Sequence, residues 1–471
     1  MKINFCSFNQ FKNESMYKLK FWGLMTGVLF FSTAVTQTAG DGWQVLFNGK
    51  DFSGWRELNG KHKWEVRDGM IIGTDVHERP NGFLCTEKDY SDFILELEVS
   101  IDTLMNNSGV QFRSRSTPDY LNGRVHGYQM EIDPKPQRWS GSIYDEGGTR
   151  GWLYTTELNK VGKKAFRNNQ WNKYRIECFG TTIRTWVNDI PISHLVDAES
   201  PKGFIGLQLH ANNPTDPPGG NQVRFRNIRI KTTGIKPSPL DDIYVVNTIP
   251  NNLSLQEKKS GYSLLWDGKT TTGWHGVFDN RFPDEDWEIK DSALKATQNK
   301  NELLQGADIR TKKQFGAFQL KFDFKIEKGA NSGIKYLIAP LPTNKTAGKQ
   351  KAIAGLEFQI ADDSAEGSSG NRTLGSLADL LASTKPGSSI KRPGTWNQGM
   401  IEVFLDNRVR YWLNGYKILE YTRGSAEYLE SVRKSKYTDL TDFGMAKKGY
   451  ILLEGHGGMV SFRSIKIKEL H

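Results

Sequence analysis

Cysteine is scarce in this sequence, which has three among its 471 residues: Cys6, Cys85 and Cys178. Two or three thiols in a chain of this length cannot form the disulfide framework of a small secreted domain. Cys178 lies in the stretch YRIECF, where it shares a predicted strand face with Tyr174 and Ile176. This placement favours a small buried hydrophobe over a catalytic thiol.

Short catalytic motifs are also missing. The sequence contains no HExxH, GxSxG, P-loop, CxxC or dinucleotide-binding pattern, which disfavours a nucleophilic serine and a bound nucleotide. His210 or His456 could hold a divalent metal ion with nearby carboxylates. However, no ligand spacing supports such a site, and a lone histidine is more often satisfied by its neighbours. The sequence therefore identifies no cofactor and leaves a divalent metal ion open.

Clustered positive charge is absent, although the formal net charge is +10. The longest runs of adjacent basic residues are pairs such as Lys447 and Lys448, and acidic residues are interleaved with them throughout. A surface that binds nucleic acid would cluster its basic residues. The sequence therefore predicts no nucleic-acid partner.

Long hydrophobic runs are limited to one stretch, residues 21–31. It follows Lys18 and Lys20 and precedes small and polar residues up to Gly40. This layout predicts a secretory signal peptide over residues 1–39 and export to the periplasm or the extracellular space. The apolar stretch is too short to span a bilayer comfortably, so we expect no membrane span in the mature protein. A retained N-terminal anchor is the alternative.

An internal repeat organises the rest of the chain. LFNGKDFSGW at residues 46–55 returns as LWDGKTTTGW at residues 265–274, and further matched blocks follow in the same order, such as NSGVQF with NSGIKY and VRFRNIRIK with VSFRSIKIK. The period is much longer than that of a solenoid, so the repeat predicts two whole domains. We place the first copy at residues 40–231 and the second at residues 263–471. Residues 232–262 between them are rich in Pro, Asn and Ser, as linkers are.

The periodicity inside each copy is two. ILELEVSI at residues 94–101 and LKFDFKI at residues 320–326 alternate apolar and polar residues, which is typical of half-buried antiparallel strands. The alternation slips in both closing segments, which predicts a β-bulge at Asn227 and at Ser464. Only AEYLESVRKS at residues 426–435 has a helical period. The sequence therefore predicts an all-β protein of two tandem β-sandwiches.

Polar side chains share one face of several predicted strands in both copies. In the first copy these are Gln129, Glu131 and Asp133, then Gln111 and Arg113, then Gln208 and His210. In the second copy they are Glu357, Gln359, Lys335, Glu454 and His456. One face of an antiparallel sheet is commonly wet without any function, so the pattern alone leaves an inert surface open.

A glycine-rich loop adds aromatic and charged residues to the first copy. The segment RWSGSIYDEGGTRGWLY supplies Trp139, Tyr144, Asp145, Glu146, Arg150 and Trp152. Aromatic rings can stack on sugar rings, and carboxylate, amide and guanidinium groups bind hydroxyls in pairs. The segment indicates carbohydrate binding, although aromatic residues in such loops can also belong to the core.

These motifs together resemble the family of 3-keto-disaccharide hydrolases. The resemblance rests on LFNGKDFSGW, NSGVQFRS, GYQMEIDP, WSGSIYDEGGTRGWLY and FRNIRIK in the first copy, and on NSGIKY, GLEFQIADD, WLNG, YILLEGHGG and FRSIKIKEL in the second. It covers nearly all of residues 42–470 apart from the linker. It implies two concanavalin-like jelly rolls, frequently exported, that act on sugars whose C3 hydroxyl has been oxidised to a ketone.

The chemistry of such a substrate defines what the site needs. A C3 ketone acidifies the hydrogen on C2, so a base can remove that hydrogen and the enolate can expel the glycosidic oxygen from C1. Water addition afterwards would give net hydrolysis. The site therefore needs a base, a cation or hydrogen-bond donor for the enolate oxygen, and an acid for the leaving group.

Candidate roles follow from residue type and strand face. In the first copy we expect Glu131 and His210 as base and acid and Arg113 as the cation. In the second copy we expect Glu357 with His456, and Lys335 as the cation. The expected partner is an oxidised, 3-keto disaccharide or glycoside, held by Gln111, Gln129, Asp133, Trp139, Tyr144, Asp145, Glu146, Arg150, Trp152, Gln208, Gln359 and Glu454. A lectin without catalysis is the main alternative, and a structural surface protein is the third.

Overall fold

Alternating apolar residues form the strands of both copies in the computed structural model. It describes residues 41–471 except 61, 77–79, 106, 212–219, 279, 298–307, 340–352, 366, 441 and 456–459. The predicted signal peptide and His456 lie outside these residues. In Phe93–Ile101, for example, Leu95, Leu97 and Val99 are buried in the core, as the period of two predicts.

The described residues of the first copy and the linker form sixteen strands. They are β1 (Gln44–Val45), β2 (Trp55–Leu58), β3 (Lys63–Arg67), β4 (Met70–Thr74), β5 (Gly82–Tyr90), β6 (Phe93–Ile101), β7 (Ser108–Arg115), β8 (His126–Ile132), β9 (Ile143–Glu146), β10 (Trp152–Tyr154), β11 (Asn172–Phe179), β12 (Thr182–Val187), β13 (Ile190–Val196), β14 (Gly203–Leu209), β15 (Gln222–Lys231) and β16 (Val246–Asn247).

The second copy follows a short linker helix, α1 (Leu255–Lys259). Its elements are β17 (Ser263–Leu264), β18 (Trp274–Gly276), β19 (Trp287–Lys290), β20 (Ala293–Ala296), β21 (Ile309–Thr311), β22 (Phe318–Ile326), β23 (Asn331–Ile338), β24 (Leu356–Ala361), β25 (Asn397–Val403), β26 (Arg408–Leu413), β27 (Tyr416–Thr422), α2 (Ala426–Arg433), β28 (Tyr450–Leu453) and β29 (Val460–Glu469).

Each copy is a jelly-roll sandwich of two sheets. In the first copy, one sheet has the order β16-β13-β12-β11-β6-β15-β4-β3, with β1 beside β15, and the other has the order β10-β9-β8-β7-β14-β5-β2. In the second copy the orders are β19-β20-β29-β22-β25-β26-β27, with β17 beside β29, and β18-β21-β28-β23-β24. The predicted fold class, all-β with two tandem concanavalin-like sandwiches, is confirmed.

Details of the predicted pattern are also confirmed. Asn227 and Ser464 both have a positive φ, of 53° and 52°, and the ladders of β15 and β29 shift register next to them. Each is therefore a bulge. The segment with a helical period forms α2. Cys178 is fully buried in the core, and burial raises the pKa of its thiol to about 12, as expected of a structural residue.

Residues 232–262 are bound to both sandwiches. Arg184 on β12 donates to the carbonyls of Ser238 and Pro239 at 2.8 and 2.9 Å. The β16 strand adds to β13 in parallel, and Lys466 on β29 donates to Glu257 of α1 at 2.9 Å. The composition predicted a linker, and these contacts hold that linker against both sandwiches.

Candidate functional site

The polar face of the first copy is the outer side of its seven-stranded sheet. Val110, Phe112, Tyr128 and Met130 on β7 and β8 point into the core, so the residues between them point outward. The outward set includes Gln111, Gln129, Glu131 and Gln208.

Side-chain hydrogen bonds join this face into one network. Gln111 lies opposite Gln129 and donates to it at 2.6 Å, and Gln129 donates to Glu131 at 3.0 Å. Ser114 donates to the Gln111 carbonyl at 2.7 Å and so fixes the orientation of that amide. Gly109 lies on the same face, where any side chain would collide with Gln129. The glycine thus leaves room for the network.

Glu131 lies at the floor of this network and is 4% exposed. Burial raises the pKa of its carboxyl well above the usual value, and the nearby Asp133 and Glu146 raise it further. The hydrogen bond from Gln129 opposes this rise but is the smaller effect. Glu131 is therefore held as a neutral acid over a wider pH range than an ordinary glutamate.

A cleft of about 690 Å³ opens beside the network. We call it the Glu146 cleft, and its lining includes Glu146, His210, Asn81, Arg124 and Leu121. Asn81 donates to Glu146 at 3.2 Å and accepts from the backbone N–H of Ala211 at 2.9 Å. The cleft therefore brings a carboxyl and an imidazole, from β9 and from the end of β14, to one hollow.

The two titratable groups of the cleft have complementary properties. Burial raises the pKa of Glu146, with the Arg124 charge and the Asn81 hydrogen bond opposing it, so this carboxyl favours its acid form. The Nδ1 atom of His210 lies 2.7 Å from the carbonyl oxygen of Ala211. A neutral imidazole with its proton on Nδ1 carries its lone pair on Nε2, so it can accept a proton there.

Gln208 lies beneath the cleft with both amide atoms buried and without a hydrogen bond of ordinary geometry. Its amide nevertheless lies close enough to Glu146 to favour the charged form of that carboxyl. The buried amide of Gln208 can therefore still donate and accept hydrogen bonds.

The aromatic cluster lies on the same face. Tyr144 is opposite Gln129, and Trp152 is opposite Tyr144. The ring centroids of Tyr144 and Trp152 are 4.9 Å apart, and those of Trp139 and Trp152 are 4.6 Å apart. All three rings remain partly exposed, so they offer flat apolar surface beside the amide network.

The predicted position of Arg113 on the polar face is wrong. Strict alternation placed it on the polar face, but β7 shifts register after Phe112 and Arg113 has a φ of 47°. Its guanidinium instead donates to the carbonyls of Ser91 and Gly180, both at 2.7 Å, and to Asp92 at 3.0 Å. The bulge turns this cation away, and it ties turns between strands together.

Three other predicted sugar-binding residues lie in structural networks. Asp133 accepts from the backbone N–H groups of Lys135 and Trp139, which shapes the turn after β8. Asp145 lies opposite Tyr128 on the inner side of the sheet and pairs with Arg150, which also donates to a buried aspartate, Asp197, at 2.7 Å. Alternation along β9 separates Asp145 from Tyr144 and Glu146.

The second copy carries an ion cluster on the corresponding face. Lys335 on β23 forms an ion pair with Glu454 and lies 3.6 Å from a Glu357 carboxylate oxygen. All three are buried, and although burial alone would lower the pKa of Lys335, the two carboxylates raise it. Gln359 donates to Asn331 at 2.7 Å. His456 lies outside the described residues.

The matched positions of the two copies differ in charge. Aligning the repeated blocks pairs four residues of the first copy with four of the second: Gln111 with Lys335, Gln129 with Glu357, Glu131 with Gln359, and Gln208 with Glu454. Three neutral amides of the first copy thus become charged groups in the second, and its carboxylate becomes an amide.

Sequence reasoning missed Asn81 and Arg124. Neither lies on an alternating strand: Asn81 directly precedes β5, and Arg124 lies in the loop between β7 and β8. Asn122 and Gly123, which are residues typical of turns, directly precede Arg124 and could have located this loop in the sequence.

The described part of the chain contains no group of three or more His, Cys, Asp or Glu side chains placed to hold a metal ion. Within the same residues, no helix is both long and apolar enough to cross a membrane.

A jelly roll whose outer face combines a carboxyl, an imidazole, amides and partly exposed aromatic rings has the features of a glycoside-cleaving protein. The comparison with known families agrees. The chain belongs to the family described as the 3-keto-alpha-glucoside-1,2-lyase-like domain, whose profile matches residues 42–231 and 261–468. Both copies are therefore members, and the chain is a tandem protein of a glycosidase family.

Individual relatives match about one copy. A 3-keto-disaccharide hydrolase of Bacteroides thetaiotaomicron is 28% identical over 242 residues, which cover 47% of this chain and 82% of the relative. Among solved structures, a candidate glycosyl hydrolase from Parabacteroides distasonis is 28% identical with a TM-score of 0.41, covering 47% of this chain and all of that one. A second from the same organism is 24% identical with a TM-score of 0.31, covering 42% of this chain and 99% of that one.

Proposed function

We propose that the first copy cleaves the glycosidic bond of 3-keto-glycosides by removing the C2 proton and eliminating the C1 substituent. Subsequent water addition gives net hydrolysis. The family description and the name of the Bacteroides relative support the substrate class. The observation that carries the proposal is that Glu146 and His210 line one cleft, with Tyr144 of the aromatic cluster two residues from Glu146 on the same face of β9.

The two titratable groups divide the proton transfers. His210 Nε2 takes the proton from C2, and the electrons of that C–H bond form the C2–C3 double bond of an enolate. The enolate then collapses to a C1–C2 double bond and breaks the C1–O bond. Glu146, whose pKa is raised by burial, gives its proton to the departing oxygen.

Neighbouring side chains hold the sugar. Tyr144 and Trp152 supply rings for the apolar face of the pyranose. The Gln111 and Gln129 amides are buried in their own hydrogen-bond network next to Tyr144, so they support this surface from within the sheet. Glu131 lies below this network and does not line the Glu146 cleft. We assign it to holding Gln129, whose amide donates to its carboxyl.

The first copy is the proposed catalytic one because its Glu146 and His210 line one cleft. In the second copy Lys335 is held between Glu454 and Glu357, which neutralise its charge. A cation so paired is a poor partner for an enolate. Export remains a proposal from the basic and apolar N-terminal segment, and mass spectrometry of the mature N terminus in a periplasmic fraction tests it.

A matched pair of substrates tests the activity. Purified full-length protein should release the aglycone from a 3-keto-glycoside and leave the unoxidised parent glycoside intact, because only the ketone acidifies C2. Binding of the keto-glycoside without release would favour the lectin. Neither binding nor release would favour the structural protein.

A further inference from the structure

We infer that Arg124 supplies the positive charge that stabilises the enolate oxygen in the first copy. The inference rests on the proposed function. It assigns a catalytic role to a residue that the alternation of the strands did not identify. It replaces Arg113, whose guanidinium the bulge in β7 commits to Ser91, Gly180 and Asp92.

Position is the first argument. Arg124 is the one arginine or lysine among the described residues that line the Glu146 cleft. Its Nη2 atom lies 4.0 Å from a Glu146 carboxylate oxygen, and its side chain is 51% exposed. The guanidinium is therefore close to the acid, yet keeps N–H groups available for a ligand in the cleft.

The loop that carries Arg124 is held in an unusual conformation. Leu121, Asn122 and Gly123 have φ values of 43°, 56° and 83°, so three consecutive residues are left-handed. This conformation is unfavourable for leucine and persists only where the surroundings enforce it. Ser116 and Asn59 do so by donating to the carbonyl of Gly123 at 2.6 and 2.9 Å.

Two further contacts fix the C-terminal side of the loop. Asn59 accepts from the backbone N–H of Val125 at 2.7 Å, so one side chain clamps both flanks of Arg124. Gly147 has a φ of 65°, and a Cβ there would collide with the Val125 carbonyl and lie 3.3 Å from Arg124 Nε. Glycine next to Glu146 therefore permits the close approach of Arg124.

The second copy supports the assignment by comparison. There, too, one cation lies against carboxylates on the outer face, but it is Lys335 on β23, at the position of Gln111. Each copy thus pairs one positive charge with acids on this face while taking it from a different place in the chain. In the first copy the charge stays partly exposed, whereas in the second it is buried.

The chemical consequence is specific to one step. As the base removes the C2 proton, negative charge develops on the former ketone oxygen, and donors preorganised around it lower the barrier. Arg124 would donate N–H hydrogen bonds to that oxygen. The proton on the leaving group comes from Glu146, so loss of Arg124 should impair enolate formation itself.

The test isolates enolate formation. A 3-keto sugar that lacks a C1 substituent cannot eliminate, so exchange of its C2 hydrogen with solvent deuterium, followed by NMR, measures the first step alone. We expect Arg124→Ala to slow this exchange by a factor of about 100 or more, as loss of one oxyanion donor does. Added guanidinium should restore part of the rate. Arg67→Ala, an exposed arginine of β3, is the matched control and should exchange at the wild-type rate.

Each outcome is decisive. Wild-type exchange in Arg124→Ala would overturn the inference while leaving the proposed function intact. No exchange by the wild-type protein would instead refute the proposed function. If Arg124→Ala does not fold, Arg124→Lys and Arg124→Gln replace it: retained exchange in the lysine variant alone supports the role of charge, and equal rates in the two variants refute it.

Discussion

Lys335 of the second copy occupies the place that Gln111 occupies in the first. Both lie on the strand that contains the repeated Ser-Gly sequence, and both face outward. On the following strand, Gln129 lies opposite Gln111 and Glu357 lies opposite Lys335. The scaffold is conserved between the copies while a neutral amide network becomes an ion cluster. Duplication has thus produced two polar faces with the same local strand pairing and different charge.

The buried charge in the second copy predicts a large stability effect. Lys335→Met should lower the free energy of unfolding by about 3–5 kcal/mol, because it leaves Glu454 and Glu357 buried without their cation. Urea unfolding of the purified variant measures this. Lys417→Met, which removes an exposed lysine paired with Glu420, should change it by no more than about 0.5 kcal/mol. If Lys335→Met and Lys417→Met changed the free energy of unfolding by similarly small amounts, the ion cluster around Lys335 would be solvated.

The aromatic cluster predicts a change in substrate affinity. Trp152→Ala removes the ring that contacts both Tyr144 and Trp139, so KM for a 3-keto-glycoside should rise about tenfold, the equivalent of one lost stacking contact. The rate constant kcat should fall less, since no proton-transferring group is altered. Steady-state kinetics give both values. Trp43→Ala, a tryptophan stacked under Arg229 away from this face, should leave KM unchanged.

Glu131 predicts how stability depends on pH. Because burial raises its pKa above the usual 4.5, the folded protein keeps a proton that the unfolded chain loses, and folding is disfavoured progressively as pH rises above about 4.5. Glu131→Gln removes this effect. The stability of the wild type relative to the variant should therefore fall as the pH rises above the unfolded value of about 4.5, as urea unfolding at each pH would show. A constant difference would mean that Glu131 is charged throughout.

Strand patterning predicted most of the fold. The period of two identified the strands, and the slip in VRFRNIRI and VSFRSIKI located both bulges, because a bulge changes the alternation itself. Alternation also placed Gln111, Gln129 and Glu131 together, because it puts all three on the same face of neighbouring strands.

The cleft could not be predicted in the same way. The bulge at Arg113 leaves little trace in the sequence, since the next residues are again polar, and so its cation was placed on the wrong face. Arg124 and Asn81 reach the site from loops, whose paths depend on tertiary hydrogen bonds such as those of Asn59. Asp145 and Glu146 differ in role because adjacent residues of a strand face opposite sides of the sheet. The glycine-rich composition of that segment predicted a loop, so this alternation was not recognised from the sequence.

Catalysis in the first copy is tested most directly by one comparison of matched variants. Turnover of a 3-keto-glycoside should fall by a factor on the order of a hundred in Glu146→Gln, which keeps the shape of the side chain but cannot supply its proton. Glu357→Gln in the second copy should keep turnover near the wild-type rate. Full activity of Glu146→Gln together with loss of activity in Glu357→Gln would contradict the account and assign the chemistry to the ion cluster around Lys335.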